Sequence, residues 1–379
     1  MPVNLRALLE EMIERDASDL HLVAGERPKI RVDGDIVSAS SEEVMTPKDT
    51  LSLAYSVLTE NQKKRFETEN ELDFSFGIQN LARFRGNVFK QRGCVSMVIR
   101  QIPFTVKTFD DLGLPQVVAK LAEKPRGLVL VTGPTGSGKS TTLAAMIDKV
   151  NKELKGHIIT VEDPIEFIHR HQQCLVNQRE VGTDTNSFHA ALKYALRQDP
   201  DVVLVGEMRD LETTASALTI AETGHLAFAT LHTNSAAESI NRIIDIFPAH
   251  QQSQIRTQLS FVLEGVITQT LLQKAKGKGR VMAAEILICT PAVRALIRDD
   301  KVEQIPSMMQ AGKKHGMQTL NDALYQLYMA REVTKEECLR VTSQPNDFLR
   351  MLGEAPLDDR EPLPAQGSPA GAPKVAARR

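Results

Sequence analysis

Gly133-Pro134-Thr135-Gly136-Ser137-Gly138-Lys139-Ser140 matches the pattern G-x-x-x-x-G-K-[ST] at every fixed position. An apolar run rich in β-branched residues, 127–132, precedes it and predicts a buried strand. Residues 141–147 follow it and suit a helix. Strand, glycine loop and helix together are the context in which this motif cradles phosphate groups. The sequence therefore predicts a nucleoside triphosphate site, and we call residues 133–140 the P-loop.

Each part of the P-loop has an expected role. The glycines let backbone N–H groups turn toward phosphate oxygens, and the helix N-terminus adds partial positive charge. Lys139 is expected to reach the β- and γ-phosphates, and the Ser140 hydroxyl to ligate Mg²⁺. The expected cofactors are ATP and Mg²⁺. The predicted nucleotide contacts here are Gly133, Pro134, Thr135, Gly136, Ser137, Gly138, Lys139, Ser140 and Thr141.

The composition limits the class of protein. The chain has 379 residues, 42% of them hydrophobic and 25% charged, with a net charge of -2, which gives no reason to expect bulk nucleic-acid affinity. It contains no run of eighteen apolar residues that predicts a membrane span, and its N-terminus lacks the apolar core of a signal peptide. The four cysteines are far apart without a C-x-x-C pair, so reduced thiols in the cytoplasm are expected.

The first hundred residues predict a small α+β domain. A helical apolar stripe at 4–16 precedes strands at 20–23, 29–32 and 36–37, with a hairpin turn at Asp33-Gly34. A helical stretch near 47–68 follows, and then alternating strands at 72–76, 82–89 and 96–100. This pattern predicts a helix-flanked antiparallel sheet with one buried face. We expect this domain to cover residues 1–103, with a linker at 104–115.

From residue 116 onward, buried strands alternate with helices. The strands are predicted at 127–132, 157–161, 202–205 and 225–231, an order typical of a parallel sheet with helices on both faces. Beyond about 238 the chain is predicted to be mostly helical, with one strand at 281–288. We expect the ATPase domain to cover residues 116–353. The segment 354–379, rich in Pro, Ala and Gly, is expected to be disordered.

Two further stretches place acids at the ends of strands. The strand 202–205 is followed by Gly206 and Glu207, where an aspartate commonly stands in place of the glycine. Glu207 is therefore the candidate for supporting Mg²⁺ or positioning water, with a surface acid as the alternative. Glu162, Asp163 and Glu166 follow another strand, where carboxylates usually face the ligand crevice. One of them could orient or deprotonate the lytic water, and a turn at Asp163-Pro164 is the structural alternative.

Histidines and arginines complete the candidate site. His232 ends the strand that His225 begins, and the odd spacing points their side chains to opposite faces. His232 could hydrogen-bond a γ-phosphate, whereas His225 fits a structural or interface role. Guanidinium groups pair bidentately with phosphate, so arginines on a separate domain suit a finger acting on a neighbouring subunit. Four arginines cluster on the predicted N-terminal sheet, namely Arg83, Arg85, Arg92 and Arg100. The alternative interpretation is that they occupy solvent-exposed strand positions without a role in the site.

Together these motifs resemble those of the secretion-type ATPase superfamily, over about residues 4–348. The residues that carry the resemblance are Ser18-Asp19-Leu20-His21-Leu22, the P-loop, Val161-Glu162-Asp163-Pro164-Ile165-Glu166, Val205-Gly206-Glu207-Met208-Arg209-Asp210, Thr223-Gly224-His225 and Leu231-His232-Thr233-Asn234. The stretch 161–166 is similar to the Asp box, 205–210 to the atypical Walker B, and 223–225 together with 231–234 to the His box. Within the superfamily the chain resembles the type IV pilus retraction branch. Ala292-Val293-Arg294-Ala295-Leu296-Ile297-Arg298-Asp299 is similar to its A-I-R-N-L-I-R-E motif, and Gly316-Met317-Gln318-Thr319-Leu320 also matches.

The resemblance implies a PAS-like N-terminal domain, a RecA-like P-loop ATPase domain with a parallel-rich sheet, and a ring-shaped homohexamer. It implies a cytoplasmic motor at the inner-membrane base of the pilus machine, held there by a platform protein and able to work with a retraction paralogue. ATP hydrolysis would drive pilin subunits back into the membrane, giving twitching motility. By the same resemblance Glu166 is the Asp-box catalytic residue and Glu207 the Walker B residue, and the N-terminal arginines complete the site.

Other classes fit the sequence less well. Assembly and type II secretion ATPases usually carry a longer N-terminal region and often a four-cysteine metal module. An accessory retraction paralogue is expected to diverge in the C-terminal motif. A RecA-like DNA translocase should show a basic stripe or stacking aromatics, whereas aromatic residues are 4% of this chain and Trp is absent. A non-catalytic nucleotide-binding scaffold would not need Lys139, Glu166, Glu207 and His232 together.

Overall fold

The computed structural model describes residues 3–32, 34–79, 81–102, 105–276 and 279–356. These residues divide into two compact units. The first contains the described residues up to 105 together with 166–168, and the second contains 106–165 and the described residues from 169 onward. Asp33 of the expected hairpin, residue 103 of the expected first domain, residue 104 of the expected linker, and the chain from 357 onward lie outside the described residues.

The first unit is an antiparallel sheet flanked by helices, as predicted. Its strands lie side by side in the order β3-β2-β1-β6-β5-β4, and each pair is antiparallel. The strands are β1 (Asp19–Leu22), β2 (Lys29–Val32), β3 (Asp35–Ser38), β4 (Glu71–Ile78), β5 (Ala82–Gln91) and β6 (Cys94–Ile102), and the helices are α1 (Leu5–Glu14), α2 (Pro47–Tyr55) and α3 (Glu60–Glu69).

The single helical stretch predicted near 47–68 was wrong, because two helices stand there. Thr59 has an extended backbone, with φ -70° and ψ 162°, so it interrupts the helical path. Its side chain accepts a hydrogen bond from the backbone N–H of Gln62, and the Gln62 side chain accepts one from the backbone N–H of Thr59. This capping box stabilises a new helix start by about 1 kcal/mol.

Strict alternation of side chains along β5 gives the sheet of the first unit two different faces. Phe84 and Val88 are fully buried, whereas Arg83 and Arg85 alternate with them on the opposite face. The buried face packs against apolar residues of α1, including Leu9 and Met12. Burial of such side chains, each contributing about 1.5–3 kcal/mol, stabilises the unit and leaves the other face for polar contacts.

The second unit is built on a seven-stranded sheet in the order β13-β12-β7-β11-β10-β8-β9. Every neighbouring pair is parallel except β12 and β13. The strands are β7 (Gly127–Thr132), β8 (His157–Glu162), β9 (Leu175–Glu180), β10 (Val202–Val205), β11 (Leu226–Leu231), β12 (Leu263–Gln273) and β13 (Arg280–Ile288). The α-helices are α4 (Gln116–Ala122), α5 (Lys139–Glu153), α6 (Phe188–Ala195), α7 (Leu211–Glu222), α8 (Ala236–Asp245), α9 (Ala249–Val262), α10 (Pro291–Arg298), α11 (Ile305–Ala311), α12 (Leu320–Met329), α13 (Lys335–Val341) and α14 (Pro345–Met351).

Strand β7, which leads into the P-loop, is buried along its whole length. Leu128 and Leu130 pack into one apolar cluster with helices α6 to α10, while Val129 and Val131 pack into a second cluster with α4 and α5. Successive residues of a strand point to opposite faces, so β7 contributes to both layers. The expected parallel sheet with helices on both faces is confirmed.

The mostly helical character predicted beyond 238 was wrong at residues 263–273, which form β12. Leu263 ends α9 with an extended backbone, φ -70° and ψ 123°, and the chain then pairs with β7 on one side and β13 on the other. Hydrogen bonding on both sides outweighs the helix propensity of its leucines and glutamines. Strand β9, at the sheet edge, was also missed.

Arg294 fastens α10 to its surroundings. Its guanidinium donates to the carbonyl oxygens of Ser260 and Phe261 at 2.9 and 2.8 Å, which lie in the last turn of α9. It also donates to Glu264 at 2.6 Å, and Lys124 pairs with the same carboxylate at 2.9 Å. A cation at the C-terminal carbonyl groups of a helix is stabilising, so the C-terminal motif is bound to α9 and to the start of β12.

Within the described part of the chain, no helix combines the length and the apolar character needed to cross a lipid bilayer.

Candidate active site

The P-loop leaves β7 at Thr132 and enters α5 at Lys139. Gly133, Gly136 and Gly138 have φ values of 136°, 78° and 91°, a region that L side chains rarely adopt. At Gly133 an added Cβ would also overlap the carbonyl oxygen of Gln269. The glycines of the motif are therefore required by the backbone path itself, which turns around the space where phosphate groups are expected.

Lys139 lies at the centre of the site. Its Nζ donates to the carbonyl oxygens of Gly133 at 2.8 Å and Pro134 at 3.0 Å, and it lies 3.5 Å from Nδ1 of His232. The first two contacts hold the ammonium group over the loop that it serves. The third links the P-loop to the end of β11, where His232 follows Leu231.

Glu207 lies on the other side of His232. Its Oε1 is 3.2 Å from His232 Nε2 and 2.6 Å from Arg209 Nε. A neutral His232 ring with its proton on Nε2 satisfies both neighbours, because Nδ1 then accepts from Lys139 while Nε2 donates to Glu207. Lys139, His232 and Glu207 thus form one continuous polar array, as expected from parallel strands that end at the same edge of the sheet.

The electrostatic environment of Glu207 favours its ionised form. Partial burial raises the pKa of this carboxyl, but the Arg209 guanidinium and His232 together hold the pKa below its usual range. A general base at neutral pH works best with a pKa near 7. Glu207 is therefore better suited to stabilising positive charge and orienting water than to accepting a proton.

Gly206 has a packing reason to replace the usual aspartate. A Cβ at this position would lie 3.0 Å from the carbonyl oxygen of Val161 and 3.2 Å from Cα of Glu162, closer than side chains normally approach. The Gly206 N–H also donates to Val161 at 2.8 Å. A side chain at position 206 would therefore require the backbone of β8 to shift by a few tenths of an ångström, which favours glycine there and leaves Glu207 as the acid.

The three acids that follow β8 have different surroundings. Glu162 accepts from the Thr160 hydroxyl at 2.6 Å and from the Gln178 amide at 3.2 Å, which ties it to β9. Asp163 interacts electrostatically with Arg209. The Glu207 carboxylate raises the pKa of Arg209 most, and Asp163 raises it to a smaller extent. Glu166 belongs to the segment 166–168 of the first unit, and its catalytic role stays a prediction.

The four arginines of the first unit are not equivalent. Arg100 donates to Asp19 through Nε at 2.9 Å and pairs with it through Nη2 at 2.8 Å. Arg83 donates to Ser75 at 2.9 Å, and its buried Nε has no hydrogen-bond partner within the described ranges. Arg85 has one long ion pair, 3.7 Å to Asp73. Arg92 stands apart in the β5–β6 hairpin turn with φ 50°.

Sequence reasoning missed Gln269 and Arg209. Gln269 is buried on β12 and donates to the Ser137 carbonyl oxygen at 2.9 Å, so it fixes the conformation of the P-loop from the neighbouring strand. Its Oε1 and the Ser137 hydroxyl are buried without hydrogen-bond partners among the residues described. Once 263–273 had been interpreted as helix, no signal could bring Gln269 to the P-loop. Arg209 could have been found from the sequence, because it lies two residues after Glu207 in the motif 205–210.

The residues present fit a Mg²⁺ ion. Ser140 lies next to Lys139 in the first turn of α5. His232 contacts Lys139 through Nδ1 and the Glu207 carboxylate through Nε2. Hydroxyl and carboxylate oxygens are the ligands that Mg²⁺ accepts in nucleotide sites, with phosphates and water completing the shell.

His225 is separate from this array. Its Nδ1 lies 3.1 Å from both the Ile220 carbonyl oxygen and the Thr223 hydroxyl, at the amino end of β11. The structural role expected for it agrees with these contacts. The strand itself begins one residue later than predicted, at Leu226.

Comparison with known proteins places these observations in a wider context. A family model described as type II/IV secretion system protein matches residues 2–340. The type IV pilus retraction ATPase PilT of Pseudomonas aeruginosa is 50% identical over 346 residues, which cover 91% of this chain and 100% of that protein. The type IV pilus ATPase PilU of the same organism is 43% identical over 345 residues, covering 91% and 90%. A crystal structure of the pilus retraction motor PilT with bound ADP has a TM-score of 0.87 and 50% identity, covering 92% of this chain and 100% of that one.

Proposed function

The chain belongs to the type II/IV secretion system protein family, and from that premise we propose that it is an ATPase motor that powers type IV pilus retraction. The observation that carries this proposal is the 50% identity to a pilus retraction ATPase over that protein's full length. The array of Lys139, His232 and Glu207 supplies the chemistry that such a motor needs.

We propose the following roles in nucleotide binding. The P-loop amides and Lys139 bind the phosphates, and Lys139 exchanges its contacts to Gly133 and Pro134 for phosphate oxygens. Ser140 and Glu207 would hold Mg²⁺, which when bound neutralises charge on the β- and γ-phosphates. Gln269 of β12 holds the P-loop in place through its hydrogen bond to the Ser137 carbonyl oxygen.

Hydrolysis requires that a water molecule be oriented and that developing negative charge be stabilised. Glu207 orients the water, and His232 holds Glu207 and Lys139 at a fixed separation. Because its pKa is lowered, Glu207 is a weak proton acceptor, and we assign proton acceptance to another group. Glu166 remains the candidate for that group by family resemblance, with Glu162 and Asp163 as alternatives.

An arginine from the first unit is proposed to complete the site of a neighbouring subunit in a homohexamer. Arg85 is the best candidate because its only ion pair among the described residues is long, whereas Arg100 is already neutralised by Asp19. We expect Arg85→Ala to lower kcat by about 10²-fold or more while the hexamer still assembles. Phosphate release by size-selected hexamers tests this, with Arg65→Ala, an exposed arginine of α3 that pairs with Glu69, as the control. A wild-type rate in Arg85→Ala would exclude this residue.

The location and partners of the motor are also proposed. It would act in the cytoplasm at the base of the pilus machine, bound to an inner-membrane platform protein and not to nucleic acid. An accessory role alongside a principal motor is the nearest alternative. The higher identity to PilT, 50% against 43% to PilU, favours the principal motor.

One experiment separates the motor from a DNA translocase. We expect the purified chain with Mg²⁺ and ATP to form hexamers by light scattering and to release phosphate at the same rate with and without DNA. The gene should then restore twitching motility to a strain that lacks its pilus retraction ATPase. ATP hydrolysis that depends on DNA would contradict the proposal, and so would failure to restore motility at normal expression.

A further inference from the structure

Four buried hydroxyl groups lie in a row beside the active site. Thr132, Ser239, Thr233 and Thr268 have exposed fractions of 0%, 0%, 3% and 5%. They come from four different parts of the second unit, namely the end of β7, helix α8, the segment after β11 and strand β12. Buried polar groups cost free energy unless they are hydrogen-bonded, so their partners identify what they do.

The four hydroxyl oxygens lie in contact with one another in sequence. The Thr268 hydroxyl lies 2.8 Å from that of Thr132, and the Ser239 hydroxyl lies 3.4 Å from Thr132 and 2.7 Å from Thr233. Ser239 also donates to the Ser235 carbonyl oxygen at 2.7 Å. Because Ser239 gives its single proton to Ser235, Thr233 donates to the Ser239 oxygen, and the 3.4 Å separation from Thr132 is a polar contact rather than a second hydrogen bond from Ser239. These contacts between oxygens run from β12 to the segment after β11.

Three members of this row adjoin residues of the active site. Thr132 directly precedes Gly133 of the P-loop, and Thr233 directly follows His232. Thr268 directly precedes Gln269, which holds the Ser137 carbonyl group. The row thus connects residues that are adjacent in the chain to the P-loop, to His232 and to Gln269.

Helix α8 gives the row a rigid support. Ile240, Ile243 and Ile244 of this helix are buried in the core, and Ser235 caps its N-terminus by accepting from the Glu238 N–H. The Ala236 N–H also donates to Glu285 of β13 at 2.7 Å. Ser239 therefore has little freedom to move, and groups bonded to it are held in place.

We propose that the hydroxyls of Thr132, Ser239, Thr233 and Thr268 are positioning groups that set the separation between the P-loop and His232. This proposal rests on the proposed ATP hydrolysis, because the separation matters only if Lys139 and His232 act on one nucleotide. A small misplacement of a catalytic group can lower the rate by a large factor without changing substrate affinity. The row should therefore affect kcat and leave KM for ATP nearly unchanged.

The test uses substitutions that separate the hydroxyl from the shape of the side chain. Valine keeps the shape of threonine and removes the hydroxyl, whereas serine keeps the hydroxyl and removes a methyl group. We expect T132V and T233V each to lower kcat about tenfold, the effect of losing about 1.4 kcal/mol. KM should stay within about threefold. T132S and T233S should retain kcat within about threefold even where the lost methyl group lowers the thermal midpoint.

A double variant tests whether the residues act as one row. Thr132 and Thr233 do not bond each other directly and are joined through Ser239. If the row works as a unit, T132V/T233V should lower kcat little further than the worse single variant, whereas independent effects would multiply to about 10²-fold. Ser260→Ala removes a buried hydroxyl from α9, outside the row, and should leave kcat unchanged.

Several outcomes would overturn the proposal. These are valine variants with kcat within twofold of the wild-type chain, serine variants that lose as much as the valine variants, or effects that multiply in the double variant. If a valine variant does not fold, Ser239→Ala removes the central hydroxyl and is held to the same criteria. A wild-type chain without ATPase activity would instead refute the proposed function, and this inference with it.

Discussion

Replacing Lys139 by alanine is expected to abolish ATP hydrolysis, with a loss of about 10³-fold or more in kcat/KM. The Lys139 ammonium group is held over the P-loop by Gly133 and Pro134 and lies 3.5 Å from His232. Without it, the β- and γ-phosphates lose their compensating charge, and His232 loses the donor to its Nδ1. Phosphate release and the binding of a fluorescent ATP analogue measure the two consequences separately.

The matched control for this variant is Lys152→Ala. Lys152 lies in the same helix, α5, and pairs on the surface with Asp148. An exposed pair of this kind contributes little to stability, so hydrolysis should stay at the wild-type rate. If Lys139→Ala retained a tenth of wild-type activity, the phosphates would not be bound by this loop in the way proposed.

Replacing Glu207 by glutamine is expected to leave ATP binding intact and to lower kcat by about 10²–10³-fold. Glutamine has nearly the same size and its side-chain oxygen still accepts from His232 Nε2, so the array should keep its geometry. What it loses is the negative charge that would support Mg²⁺ and orient water. Arg209 also loses its ion pair. Single-turnover phosphate release, measured beside equilibrium nucleotide binding, separates these effects.

Glu212→Gln provides the control. Glu212 is an exposed acid in the first turn of α7, five residues further along the chain, and it should tolerate the change without loss of kcat. Wild-type turnover in Glu207→Gln would remove Glu207 from the mechanism. A parallel loss of nucleotide affinity would mean that its charge acts mainly in binding.

The parts of the site that follow strand ends could be predicted from the sequence. Strands β7 and β10 have the expected bounds, and because they lie in one parallel sheet, Lys139 and Glu207 had to emerge at the same edge. His232 follows β11, which lies between those two strands. Local patterns and one topological rule were sufficient to bring these three residues together.

The parts that depend on pairing between distant segments could not be predicted. Residues 263–273 combine leucines and glutamines, which suit a helix, with β-branched residues at 266–268 and 270, which suit a strand, and the hydrogen bonds to β7 and β13 decide the outcome. Because β12 was not predicted, the positions of Gln269 and Thr268 beside the P-loop were not predicted either. The choice among Glu162, Asp163 and Glu166 had the same limit, because all three lie at or just after the end of β8 and side-chain contacts such as Thr160 to Glu162 distinguish them.

The three hydrogen bonds of Arg294 have a mechanical consequence. Helix α10 cannot slide along α9 without breaking bonds to two carbonyl oxygens and one carboxylate. The carboxylate belongs to Glu264, at the start of β12. Further along the same strand, Gln269 donates to the Ser137 carbonyl oxygen of the P-loop. Strand β12 pairs with β13 from Gly265 to Gln273 and with β7 from Leu263 to Thr268, so a force applied to α10 would reach the nucleotide loop through one hydrogen-bonded strand. In a motor that works against tension, a load on α10 and the conformation of the P-loop would therefore be coupled through β12.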